Sequence, residues 1–157
     1  MKLADAVKLA GKSDDIRGLK NEGFFLNSAM AFLEPADNNV GVWNLTYYEA
    51  KSNQVAQIVV EKESVYIKER GTPMNPTKQV LDLMSIKTSE DKMLAKAQKE
   101  FGKYKQPVSQ VIINLVSEND MTQWKINFIT KMLYLITIIL DAKTGELLSS
   151  SMHSLSK

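Results

Sequence analysis

The apolar positions of this chain follow two periods, and the switches between them outline its elements. Leu3, Ala6, Val7 and Ala10 stand at i, i+3, i+4 and i+7, the stripe of an amphipathic helix. Gly11 follows at the expected C′ position. Ser13-Asp14-Asp15 carries the chemistry to cap a short second helix through Leu19. Phe24 to Leu33 reads as a strand, and Glu34 to Asn39 is turn chemistry. Val40 to Tyr48 is rich in β-branched and aromatic residues and predicts another strand. After a turn at Lys51 to Asn53, Val55 to Val60 and Ser64 to Lys68 predict two more. Gly71 to Thr77 holds two prolines and a glycine and reads as a linker. Asn75-Pro76 is a candidate helix start, with Val80 to Met84 as a short helix.

The second half repeats this alternation. Thr88-Ser89-Glu90-Asp91 opens a helix whose apolar face is Leu94, Ala97 and Phe101, with Gly102 at its end. Pro107 bars continuation. Ser109 to Val116 predicts a strand and Glu118-Asn119-Asp120 a tight turn. In Gln123 to Ile129, Trp124, Ile126 and Phe128 alternate with Gln123, Lys125 and Asn127, the mark of a half-buried strand. Leu133 to Leu140 is almost wholly apolar, as expected of a strand covered on both faces. Lys143-Thr144-Gly145 is a turn, Glu146 to Ser150 an exposed last strand, and the remaining Ser-rich tail is expected to fray.

The two halves also share letters. Leu3 to Lys12 (LADAVKLAGK) and Leu94 to Lys103 (LAKAQKEFGK) are identical at six of ten positions. Each precedes a strand bearing one of the two tryptophans, Trp43 and Trp124. The first half holds about ten more residues between helix and tryptophan, placed at Ser13 to Gly23. Such self-similarity predicts duplication. The expected fold class is α+β: two tandem units, residues 1–72 and 73–157, each a helix packed on a curved antiparallel sheet. Units of this size bury limited apolar surface alone. They are expected to press together or share a sheet, with Leu133 to Leu140 as the contact.

Composition narrows the functional classes. The 157 residues carry a net charge of +2, which argues against a nucleic-acid surface. No cysteine is present, so disulfides and thiolate metal sites are excluded. The N-terminus lacks the apolar run of a signal peptide. Met132 to Leu140 falls short of the roughly 20 residues a spanning helix needs. The chain therefore reads as soluble, without membrane insertion.

No catalytic constellation stands out. His153 is the single histidine and lies in the Ser-rich tail. Neither G-x-x-x-x-G-K nor G-x-G-x-x-G occurs, and the two Gly-Lys pairs read as helix ends. Acidic groups at Asp14-Asp15, Glu61/Glu63, Glu90-Asp91, Glu118/Asp120 and Asp141/Glu146 sit where caps and turns use them, with Glu118/Asp120 the candidate for a weak cation site. Asn44-Leu45-Thr46 has the glycosylation spacing but falls in mid-strand. No cofactor is expected. Trp43 and Trp124 read as core, or as stacking groups for a ligand. Tyr47 and Tyr48 are adjacent on a strand, so one should face outward; beside Trp43 it would form a contact patch.

The second half resembles a PepSY domain, on the helix LAKAQKEFGK, the strands QWKINFI and LYLITIIL, and the hairpin from Asp141 to Leu148. Asp141 suits an Asx turn there, and Gly145 the left-handed residue of a three-residue loop. The first half departs from the pattern: Glu61 to Ser64 lacks the Asp and the Gly. The resemblance implies a small α+β module of the kind found in propeptides of thermolysin-like proteases and in envelope proteins, which binds or inhibits partners. The expectation is a non-enzymatic module for a protein or peptide partner. Its candidate contacts are Trp43, Tyr47, Tyr48, Glu146 and Leu148, with strand addition along Glu146 to Ser150. Two alternatives stand beside it: a small-molecule binder or enzyme with a pocket between helix and curved sheet, and a homodimer.

Overall fold

The computed structural model describes residues 1–74 and 79–156. Its elements are α1 (Leu3–Gly11), α2 (Asp14–Asn21), β1 (Phe25–Leu33), β2 (Trp43–Glu49), β3 (Gln54–Val60), β4 (Val65–Gly71), α3 (Glu90–Phe101), β5 (Val108–Glu118), β6 (Met121–Thr130), β7 (Tyr134–Asp141) and β8 (Leu147–Ser154). Short 3₁₀ turns lie at Leu83–Ser85 and Gly102–Tyr104. The Asn75-Pro76 helix start lies outside the described residues.

The expected fold class needs correction. The eight strands form one continuous antiparallel sheet, ordered β4-β3-β2-β1-β5-β6-β7-β8, in place of two tandem helix-on-sheet units. The join is β1 against β5, with Cα partners running from Ser28↔Val116 to Leu33↔Val111. Pairing the first strand of each meander leaves no sheet edge in the middle, which would expose unmatched N–H and C=O groups. The apolar strand β7 is not the junction and lies second from the edge. Its Ile136, Ile138 and Leu140 are buried, whereas Leu135, Thr137 and Ile139 are half-buried on the other face. All-apolar patterning arose there without a second covering layer.

The helices cover one face. Leu3, Ala6 and Ala10 of α1, Ile16 and Leu19 of α2, and Met93, Leu94 and Ala97 of α3 join the sheet's inner side chains in one buried cluster. A single row crosses the whole sheet on that face: Ile67, Ile58, Leu45, Ala29, Leu115, Trp124, Leu140 and Leu147. Both indoles are buried. Each removes roughly 200 Å² from water, an upper-bound transfer gain of about 5 kcal/mol. That gain requires a partner for each indole N–H. Trp43 Nε1 donates to Met1 O at 3.0 Å and Trp124 Nε1 to Thr88 Oγ1 at 3.2 Å. Both acceptors lie just ahead of a helix start.

Local chemistry explains the ends. Ser89 caps α3, its hydroxyl accepting from Lys92 N at 3.4 Å. The expected left-handed glycine caps are absent: Gly11 is the last residue of α1, and Gly102 caps α3 at φ −55°. Asn119 and Asp120 hold φ of 53° and 60° between the paired Glu118 and Met121. Two consecutive positive φ values mark the type I′ turn, which matches strand twist.

The β7–β8 loop is held by Asp141, whose Oδ1 accepts from Lys143 N at 2.7 Å and Thr144 N at 3.2 Å. Gly145 has φ +78°. The loop between Asp141 and Glu146 is one residue longer than the three expected, closed by Gly145 N donating to Asp141 O at 2.7 Å. The tail needs correction too. It continues as strand through Ser154, because β7 offers a full ladder of partners from Tyr134 to Leu140.

Candidate functional site: the free edge of the sheet

The sheet has two edges of different character. On β4, Lys68, Glu69 and Arg70 interrupt the strand, and the register slips beside Lys68. Arg70 pairs with Glu22 at 3.1 Å and lies over the Phe24 ring at 5.2 Å. Charge and a bulge are the usual guards against unwanted strand pairing. On β8 the sequence is LLSSSMHS, with no acidic or permanently basic residue.

Hydrogen-bond alternation shows which groups of β8 are free. Leu155 N donates to Leu133 O at 2.7 Å, which makes Leu135/His153, Thr137/Ser151 and Ile139/Ser149 the hydrogen-bonded pairs. The N–H and C=O of Ser150, Met152 and Ser154 therefore point away from β7. Exposed apolar side chains gather along the same edge. Of the thirteen exposed large apolar residues among those described, six lie on or beside β8: Met132, Leu133, Leu147, Leu148, Met152 and Leu155.

α3 runs beside this edge in the direction of β8. Near the strand's start, Lys96 Nζ donates to Gly145 O, and further on Tyr104 OH meets Ser150 Oγ. Phe101 stacks on Phe128 with centroids 4.3 Å apart, fixing the helix's last turn to the sheet. Lys92, Lys96, Lys99 and Lys103 follow at i, i+4, i+7 and i+11 and form a ridge turned away from the buried Met93, Leu94 and Ala97. They are exposed. Lys103 is paired with Glu100 at 2.8 Å.

The five residues singled out from sequence separate in space. Trp43 and Tyr47 point into the covered face and are buried. Tyr48 points to the opposite face and is buried as well, its ring edge-on to Phe25 at 5.7 Å and its hydroxyl donating to Asn53 Oδ1 at 2.9 Å. The expected aromatic contact patch is thus absent from the surface. Burial pushes the Tyr47 phenol up to about 12, so it stays neutral. Glu146 and Leu148 are exposed where β8 begins. The far half of β8, from Ser151 to Ser154, was not expected as strand, because its serine run has no period to read.

Three other titratable groups have defined surroundings. His153 stands exposed in β8 opposite Leu135. Glu118 pairs with Lys125 at 3.4 Å. Glu49 accepts from Ser52 Oγ, from Ser52 N at 2.7 Å and from Lys51 N at 2.8 Å. Among the described residues no group of three or more acidic or histidine side chains is placed to hold a metal ion. None of their helices is long and apolar enough to cross a membrane.

The core cluster lies between helices and sheet, and a cavity of about 280 Å³ opens where α1 and α3 begin over Trp124, lined also by Leu3, Leu83, Thr88 and Glu90. A cavity of about 630 Å³ lies at the sheet's end, lined by Gln79, Asp82, Ser85, Ser117, Thr122 and Asp141 among others.

No family model and no curated protein matches the chain. Its fold is similar to the crystal structure of a putative lipoprotein from Clostridium difficile, with a TM-score of 0.57 and 19% identity over 88% of this chain and 89% of that one. At that identity the likeness concerns the fold.

Proposed function

We propose that this chain is a non-catalytic binding module that takes an extended segment of a protein or peptide partner onto β8. The observation that carries this reading is the contrast in charge between the two edges: β4 holds Lys68, Glu69 and Arg70, whereas β8, which like β4 is bulged, at Leu148, is uncharged and lined with exposed leucine and methionine. Three residues of β8 each present one free donor and one free acceptor. At about 0.5–1.5 kcal/mol net per bond, six bonds offer roughly 6 kcal/mol, against association costs of about 4–15 kcal/mol. Main-chain pairing alone is therefore insufficient, and Leu147, Leu148 and Met152 must supply side-chain contacts. The resemblance of the second half to PepSY modules points the same way.

The test uses Met152→Pro. The Met152 N–H faces away from β7, so proline there removes an outward donor and leaves the β7 ladder intact. Peptides selected from a displayed random library on the wild-type protein should slow hydrogen exchange at Ser150, Met152 and Ser154, and should lose binding to Met152→Pro. A pool that binds both proteins equally overturns the reading. So does a wild-type dimer that Met152→Pro converts to monomer, since the edge then belongs to a second copy.

A further inference from the structure

The face of the sheet turned away from the helices lacks a cover over one of its halves. We infer that two copies of this chain pack these faces together, with β1, β5, β6, β7 and β8 of one copy lying against the same strands of the other. The contact is separate from the outer edge of β8, and it leaves the outward N–H and C=O groups there free for an extended segment.

An antiparallel sheet with one wet face normally turns its polar residues outward. Half of this sheet departs from that rule. Met30 and Phe32 of β1, Ile112 of β5, Ile129 of β6, and Leu135 and Ile139 of β7 point away from the helices, and each is half-buried or exposed. In the other half the chain shields its own outward apolar groups. Tyr48 and Val59 are buried there, with Phe25 edge-on to Tyr48 and Tyr66 paired with Val59. All three helices join the cluster on the opposite face, so none of them covers Leu135 or Ile139.

Charge and area select the occupant. Within this outward area Lys125 is the one permanent charge away from the rim, and Glu118 pairs with it at 3.4 Å. Asp141 stands at the rim, turned into the β7–β8 loop. The polar groups between are Asn114, Asn127 and Thr137, whose side chains both donate and accept and so can pair with their own copies. A face without net sign does not repel a copy of itself and does not steer a charged partner. The five strands are eight to eleven residues long. At about 4.8 Å between strands and about 3.4 Å per residue they cover roughly 24 by 30 Å, or about 700 Å². Two such faces bury roughly 1,400 Å² together, within the range of about 1,200–2,000 Å² typical of stable pairs.

The experiment reads the molar mass of the full chain by light scattering across a concentration series, beside Phe32→Glu, Thr137→Arg and Met152→Pro. The wild type should be a dimer. Phe32 and Thr137 stand on one row of the outward face, running Phe32, Ile112, Asn127, Thr137 and Ser151. A charge placed on that row is buried without a partner in the dimer, so each of the two variants should raise the dissociation constant at least about a hundredfold. Thr137 is a half-buried polar residue outside the helix-side core, so Thr137→Arg decides the matter even if Phe32→Glu fails to fold. Circular dichroism should show unchanged secondary structure in Thr137→Arg, and Met152→Pro should stay dimeric. A wild type that is monomeric at every concentration overturns the inference and leaves the β8 reading standing. A dimer that survives Thr137→Arg overturns it as well, since the contact then lies elsewhere. Loss of the dimer in Met152→Pro overturns both readings, because the outer edge of β8 is then the contact between copies.

Discussion

Glu90 Oε1 accepts the backbone N–H of Leu3 at 2.8 Å, so the first residue of α3 caps the first residue of α1. Two of the helices that cover the sheet are thus joined at their N-terminal ends, where the positive end of a helix dipole favours a carboxylate. The expected result of Glu90→Ala is a loss of about 1 kcal/mol. Urea unfolding followed by circular dichroism should show a lower midpoint at an unchanged slope. Glu90→Gln, which keeps an acceptor and removes the charge, should fall between the two.

Thr88 sits at a second junction. Its hydroxyl accepts from Trp124 Nε1 at 3.2 Å and donates to Ala142 O at 2.8 Å. Thr88→Val leaves a buried indole N–H without an acceptor and should cost about 1–3 kcal/mol. Thr88→Ser should restore most of it. Near-UV circular dichroism of the tryptophans, recorded alongside the urea transitions, separates loss of this bond from general loosening.

Gly145 leaves little room for a side chain. At φ +78° any L residue is strained, and a Cβ there would stand 3.3 Å from both Met93 Cε and Thr88 Cγ2. Gly145→Ala should destabilise by about 1–2 kcal/mol from the backbone alone. Thermal melts of the wild type and Gly145→Ala check this.

Glu49 makes stability depend on pH. The Ser52 hydroxyl, then the Ser52 and Lys51 N–H groups, hold its carboxyl below the ordinary value of 4.5. A group depressed in the folded state binds more protons when unfolded, so it adds stability at higher pH. Its contribution should be complete above the ordinary value and fade as pH falls through the lower folded one. Stability of the wild type relative to Glu49→Gln, measured by urea unfolding between pH 7 and about pH 3, should be flat at first and then converge. A gap that stays constant across that range contradicts the assignment.

How far the sequence could be read follows from where its periods are set. α1 and α3 were legible because Leu3, Ala6 and Ala10, and Leu94 and Ala97, each face one sheet and nothing else. β6 was legible for the same reason, its Trp124, Ile126 and Phe128 buried between exposed or half-buried neighbours. The β1–β5 pairing was not, because strand order is set by contacts between residues about half the chain apart, which leave no local mark. Glu146 and Leu148 stand exposed where β8 begins, whereas the aromatic residues of the expected patch are buried. Trp43, Tyr47 and Tyr48 supply the largest apolar areas in their half, and the core took all three.

The junction of β1 with β5 also governs how the chain must be made. Until Val108 to Glu118 has left the ribosome, the first meander ends in an uncovered β1 carrying Phe25, Leu26, Met30 and Phe32. That interval is the molecule's window for misassembly, and its length is set by translation speed through the linker and α3. Slowing synthesis between residues 72 and 107 should therefore lower the soluble yield without altering the stability of what folds.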